Sequence, residues 1–162
     1  MSWSKIVAVS TVVLFVCGFA MIDSAFAGEK MKWHGTGITD VWEQIEAGEG
    51  HIVGISKSKQ IYINETTGEK THSVNIGIMD INPKEKQVSG HGYGLGFFKD
   101  GSTVLRTWKG GAVGKGHWKG TWTVVSGTGK YEGATGGGTW ESFDIAPGHS
   151  YYEVEGEMNP GQ

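Results

Sequence analysis

Between Gly90 and Gly96 every second residue is glycine, and the residues alternating with them are His91, Tyr93, Leu95 and, one step further on, Phe97. Successive side chains of a strand point to opposite faces, so this run makes a ribbon with one bare face and one crowded face. The run turns at Lys99-Asp100-Gly101-Ser102 and alternation resumes over Thr103–Val113, which marks a β-hairpin with Asp-Gly at its tip. With Asp100-Gly101 as a two-residue loop, His91, Tyr93, Leu95 and Phe97 share a face with Val104, Arg106 and Trp108. Gly90, Gly92, Gly94 and Gly96 then share the other face with Thr103, Leu105, Thr107 and Lys109. The crowded face is either a lumen or a surface covered by another subunit; alternation alone leaves both open.

The same period of two recurs along the chain. Val74, Ile76 and Ile78 alternate on a strand that stops at Asn82-Pro83-Lys84-Glu85, and Gln87–Phe98 follows it. Further strands are expected at Met31–Trp42, His51–Ser58, His117–Val125, Gly138–Ile145 and Tyr151–Glu157, with turns at Gly114-Lys115-Gly116 and Ala146-Pro147-Gly148. That makes roughly eight strands, the number that closes into an antiparallel barrel holding side chains or one small ligand. The 28 glycines follow no triplet, which excludes collagen, and the interleaved aromatic and β-branched residues exclude disorder. One helical turn at Trp42–Ala47 is the only helix expected.

The first 27 residues are of another kind. Lys5 supplies a positive charge, Ile6–Met21 is almost wholly apolar, and Ala25-Phe26-Ala27 puts small residues before Gly28. That order is the signature of a secretory signal, so residues 1–27 are expected to be removed and residues 28–162 to form one exported domain, periplasmic or extracellular. The alternative is an uncleaved anchor, for which the apolar run is short. Cys17 lies where a lipoprotein signal carries its acylated cysteine, but Val16 is bulky for that cleavage position. Cleavage leaves 135 of the 162 residues, enough for one core, and takes away the only cysteine. No disulfide is then available to a chain of secreted type. The net charge of −3, without a basic block, excludes nucleic acid as a partner.

The most distinctive stretch is Ser126-Gly127-Thr128-Gly129-Lys130-Tyr131-Glu132-Gly133-Ala134-Thr135-Gly136. Its glycines, Gly127, Gly129, Gly133 and Gly136, allow a tight reversal with positive φ, and Tyr131 is placed to tuck its ring under the strands. These residues are expected to form a structural corner that plugs one end of a sheet. The stretch resembles the loop of the allene oxide cyclase and dirigent proteins, where Gly-Ser/Thr-Gly is followed by an aromatic residue and then Gly-Ala-x-Gly. Thr139-Trp140-Glu141 and Tyr151-Tyr152-Glu153-Val154-Glu155-Gly156 resemble the last two strands of that barrel, and Tyr93–Lys99 with Asp100-Gly101 resembles the hairpin before the loop. The resemblance runs over about residues 71–158, is specific at 126–136, and leaves the N-terminal third unmatched. It implies an eight-stranded antiparallel barrel, often trimeric, whose lumen holds an apolar small molecule and steers its cyclisation or coupling. In the cyclases catalysis leans on a shaped apolar cavity, an acidic residue and an ordered water, and those polar positions fall where this sequence departs from the pattern. A second resemblance is to lipocalin- and avidin-like barrels, through the Gly-x-Trp of Gly120-Thr121-Trp122 and Gly138-Thr139-Trp140. In lipocalins that motif opens the first strand, whereas both copies here fall near the C-terminus.

Other chemistries find no support. His34, His51, His72, His91, His117 and His149 are scattered without the short spacings of zinc sites, so neither metal nor cofactor is expected. Lys130 is followed by Tyr131 where a P-loop needs Ser or Thr, and there is no Gly-x-Ser-x-Gly elbow. Asn64-Glu65-Thr66 is a formal glycosylation sequon within an ordinary polar turn, Asn64–Gly68. Groups able to do acid-base work are His91, Tyr93, Arg106, Glu141 and Asp144. Arg106 has a purely structural alternative, stacking on Trp108 or Tyr93 or pairing with an acid at an interface. Any ligand is expected on the aromatic face of the hairpin, where Tyr93, Phe97 and Trp108 supply apolar area and His91 and Arg106 orient it. The sequence thus points to an exported barrel that binds a small apolar molecule, with cyclase or isomerase chemistry as an open question, and to self-association, a trimer first. The rival is a structural or interaction barrel with a filled lumen, and the size of the cavity separates the two.

Overall fold

The computed structural model describes residues 28–161 and shows eight strands closed into one barrel. They are β1 (Glu29–Glu46), β2 (Ile52–Asn64), β3 (Lys70–Asn82), β4 (Gln87–Phe97), β5 (Thr103–Gly114), β6 (His117–Gly127), β7 (Thr135–Ala146) and β8 (His149–Asn159). Each strand pairs antiparallel with the next, and β1 pairs with β8 to close the wall. The expected signal, residues 1–27 with Cys17, lies outside the described residues. No helix among the described residues is long and apolar enough to cross a membrane.

Turn chemistry sets the joints. Asn64 is buried and its Oδ1 accepts the backbone N–H groups of Thr66 and Thr67, at 2.8 and 2.9 Å, which makes the sequon a side-chain-stapled turn. Trp42–Ala47 is not a helical turn: β1 runs on to Glu46 and pairs with Ile52, and Ala47 N–H donates to His51 O at 2.7 Å. The ladder to β2 satisfies backbone groups that an isolated helical turn leaves open. A bulge between Thr39 and Val41 changes the parity of β1, so Trp42 pairs with Ser56 and lines the lumen, as Thr39 does three residues before it.

The β4–β5 hairpin corrects the face assignment expected from its sequence. Phe97 pairs with Thr103, Leu95 with Leu105, Gly94 with Arg106 and Gly92 with Trp108. The loop has three residues, Lys99-Asp100-Gly101, closed by Phe98 N–H to Ser102 O at 3.0 Å and Gly101 N–H to Phe98 O at 3.1 Å. Gly101 takes φ +84°, and Asp100 Oδ1 accepts Ser102 N–H at 3.0 Å. One residue more in the loop than Asp-Gly alone shifts the register by one, and a one-residue shift exchanges the faces. The bare glycine face therefore joins Val104, Arg106 and Trp108 inside the barrel, while His91, Tyr93, Leu95 and Phe97 point outward.

The two halves of the barrel differ. The lower half, at the end carrying the β2–β3, β4–β5 and β6–β7 loops, is filled by Trp33, Tyr62, Trp122 and Val154 and, beneath them, by Val104, Tyr131, Ala134 and Met158. Residues 126–136 form the plug of that end. A single 3-10 turn over Gly129–Tyr131 carries the Tyr131 ring under the strands, 4.5 Å from Phe98 between centroids. Gly129, Gly133 and Gly136 have positive φ. Gly127 does not, but a β-carbon there would lie 2.2 Å from Tyr131 O.

Candidate functional site

Above the plug the lumen is hollow. A cavity of about 720 Å³ opens at the end carrying the β1–β2, β3–β4, β5–β6 and β7–β8 turns, and every strand contributes to its wall. Tryptophan dominates that wall: Trp42, Trp108, Trp118, Trp122 and Trp140. The rings lie against glycines one or two strands away. A β-carbon at Gly77 would stand 2.2 Å from the Trp108 ring, at Gly120 2.6 Å from Trp140, and at Gly156 2.6 Å from Trp122. Glycine in these strands is thus what lets large rings lie flat along the wall and leaves the axis open. Trp108 and Trp140 also meet edge to face at 6.1 Å.

The floor is polar. Tyr62 Oη donates to Gln60 Oε1 at 2.5 Å, and Asn75 Nδ2 donates to the same oxygen at 2.6 Å and to Ser73 Oγ at 3.2 Å. Burial holds the Tyr62 hydroxyl well above the ordinary tyrosine range, so it stays a neutral donor. Arg106 completes this floor and borders a second chamber of only about 20 Å³ below it. Its Nη2 makes one long contact to Ser73 Oγ, 3.5 Å, and its guanidinium lies 6.0 Å from the Trp122 ring centroid. No ion pair among the described residues includes Arg106. Burial pushes its pKa below the usual value, and the only opposing influence is Tyr62.

Trp122 and Trp140 give their indole N–H groups to the carbonyls of Glu155 and Thr121, at 3.1 and 3.2 Å. Trp108 Nε1 is buried and has no acceptor. At the mouth stands Asp144, which accepts Ser150 Oγ at 3.0 Å.

Of the five residues expected to hold a ligand, Arg106 and Trp108 line the cavity. His91, Tyr93 and Phe97 are on the outer wall, where Tyr93 is 57% exposed and Phe97 stacks on His72 at 4.8 Å. Asp144 faces the lumen, but Glu141 is outside, bound to His117 Nε2 at 3.0 Å and Lys119 Nζ at 2.9 Å, and those two contacts lower its pKa, Lys119 the more. Gln60, Tyr62, Asn75 and Trp118 were not singled out from the sequence, and Trp122 only within the Gly-x-Trp of Gly120-Thr121-Trp122, not as a site residue. Part of the signal was there: Trp118, Gly120 and Trp122 alternate on β6, as Trp140, Ser142 and Asp144 do on β7.

No family model and no curated protein sequence matches the chain. Solved structures do match it. A protein of unknown function from the DUF3224 family of Shewanella oneidensis MR-1 aligns with a TM-score of 0.55 at 16% identity, over 82% of this chain and all of that one. The pterocarpan synthase dirigent protein PsPTS1 aligns with a TM-score of 0.52 at 13% identity, over 84% of this chain and 98% of its own. The corresponding dirigent protein GePTS1 gives 0.53 and 14%, over 84% and 91%. The shared feature is the fold, an eight-stranded closed barrel of the dirigent type.

Proposed function

We propose that this chain is an exported barrel that takes up one small, largely apolar molecule in its lumen. The observation that carries the reading is the 720 Å³ cavity, walled by five tryptophans and sealed at one end. Small-molecule pockets run from about 300 to 1,000 Å³ and are mostly apolar with a few placed polar groups. A barrel whose only task is structural packs its axis, since void space forfeits contact energy. Here the lower half is packed in that way and the upper half is not.

A second reading adds catalysis, as a cyclase or isomerase acting on the bound molecule. It is favoured by the names of two fold neighbours, which are pterocarpan synthases, and by Asp144 and Arg106 facing one cavity. Such a site would act by confining and orienting a reactive molecule rather than through a nucleophile. Export rests on Lys5, the apolar run and Ala25-Phe26-Ala27, and an intact mass beginning at Gly28 is the expected result for the secreted product. A mass that retains Met1 refutes it. The reading also includes self-association, as a trimer.

Binding is tested with the neutral fluorophore N-phenyl-1-naphthylamine. The expected result is saturable binding of one molecule per chain, lost when the cavity is filled by Ser58→Trp and kept when the outer wall is changed by Tyr93→Ser. No binding, or loss with Tyr93→Ser alone, overturns the reading.

A further inference from the structure

A cation short of acceptors marks the deep end of the cavity. Arg106 has five N–H donors and one long contact at 3.5 Å, and it lines the lumen. Gln60 Oε1, on the same floor, is already taken by the Tyr62 hydroxyl and the Asn75 amide. A buried cation without a counter-charge is costly, and proteins retain one where something else supplies the charge. From these unused donors, and resting on the reading of the lumen as a small-molecule site, we infer that the ligand carries a carboxylate, seated on Arg106 with its apolar body among the tryptophans.

The donor set selects the class. One guanidinium supplies a single positive charge and a planar fork that matches two carboxylate oxygens. A phosphate dianion would leave charge unbalanced, because the cavity lining has no other cation. Asp144 stands at the mouth, the opposite end from the floor that Arg106 helps to form, and repels a second anionic group there. The ligand is therefore a hydrophobic monocarboxylate that enters acid first, with its neutral end toward solvent. The tryptophan wall favours a flat, aromatic body.

The test compares 2-naphthoate with 2-naphthylmethanol, which share a body and differ in charge, by calorimetry on the full secreted protein. For the unaltered protein the carboxylate is expected to bind at least about tenfold more tightly, the scale of one hydrogen bond to a charged group. Arg106→Met is expected to remove that preference while still binding the alcohol, and Arg106→Lys to retain part of it. Arg106→Met should also melt no lower than the parent, since it deletes an unpaired buried charge. Equal binding of both compounds by the unaltered protein overturns the carboxylate while leaving the lumen site standing. Binding of neither overturns both. An Arg106→Met protein that unfolds shows a cation held by the fold itself, and that also overturns the inference.

Discussion

Gly133 holds φ +72° in the corner below the barrel, and the nearest atom to a β-carbon built on it is the Gly161 Cα at 3.4 Å. Space is therefore not what requires glycine there; the backbone conformation is. Replacement by Val should cost about 1–3 kcal/mol, because a β-branched residue is strained at positive φ. Replacement by Asn should cost less, since Asn visits the left-handed region more readily. Urea unfolding that gives the order glycine, then Asn, then Val in midpoint, with an unchanged slope, supports this account. Equal midpoints for Gly133→Val and the parent would show that the corner tolerates another conformation. Ligand affinity should be unchanged in whatever fraction remains folded, as the corner lies below the floor of the cavity and contributes nothing to its wall.

At the scale of elements, the strands were legible and the parity of one hairpin was not. Alternation located all eight strands, because a half-buried strand repeats every two residues whatever surrounds it. The faces of β4 and β5 depend instead on whether the connection has two or three residues, and Asp100-Gly101 with Lys99 before it permits either. Gly101 in the left-handed region, with Asp100 accepting from Ser102, decides for three. The crowded row His91, Tyr93, Leu95, Phe97 then goes outward, and the row that reads as featureless lines the site. The floor was hidden for another reason. Arg106 meets Ser73 across 33 residues of sequence, and Asn75 meets Gln60 across 15, through pairings of neighbouring strands that no local pattern encodes. The 126–136 corner is read locally because its glycines and Tyr131 act within one turn and on the strand ends beside it.

For the molecule as a whole, the outer wall is as telling as the lumen. Ile55, Ile76, Ile78 and Tyr93 are each about half exposed, and cross-strand pairing sets Ile55 beside Ile78 and Ile76 beside Tyr93. Val74, Leu95 and Leu105 continue the patch toward β5. A contiguous apolar surface of this kind normally faces a partner. Light scattering should give a trimer mass for the unaltered protein, and Ile76→Lys with Ile78→Lys should shift it to a monomer that still binds its ligand. A monomer mass for the unaltered protein across a wide concentration range would leave the patch without that role.

Seven of the eight strand pairings are joined by a turn or short loop; the eighth is the β1–β8 seam, where Glu29 meets Met158. Closing that seam carries the loop-closure entropy of almost the whole domain, a cost that a turn-linked pair does not bear. The cavity draws on all eight strands, so its floor and wall do not coexist until the seam is shut. Occupancy and folding are consequently linked quantities. A molecule that binds only the closed ring raises its stability by RT ln(1 + [L]/Kd), about 2.7 kcal/mol at a hundredfold excess over Kd. The midpoint of thermal unfolding is then itself a reporter of the lumen, and reads any ligand without regard to its colour, charge or chemistry.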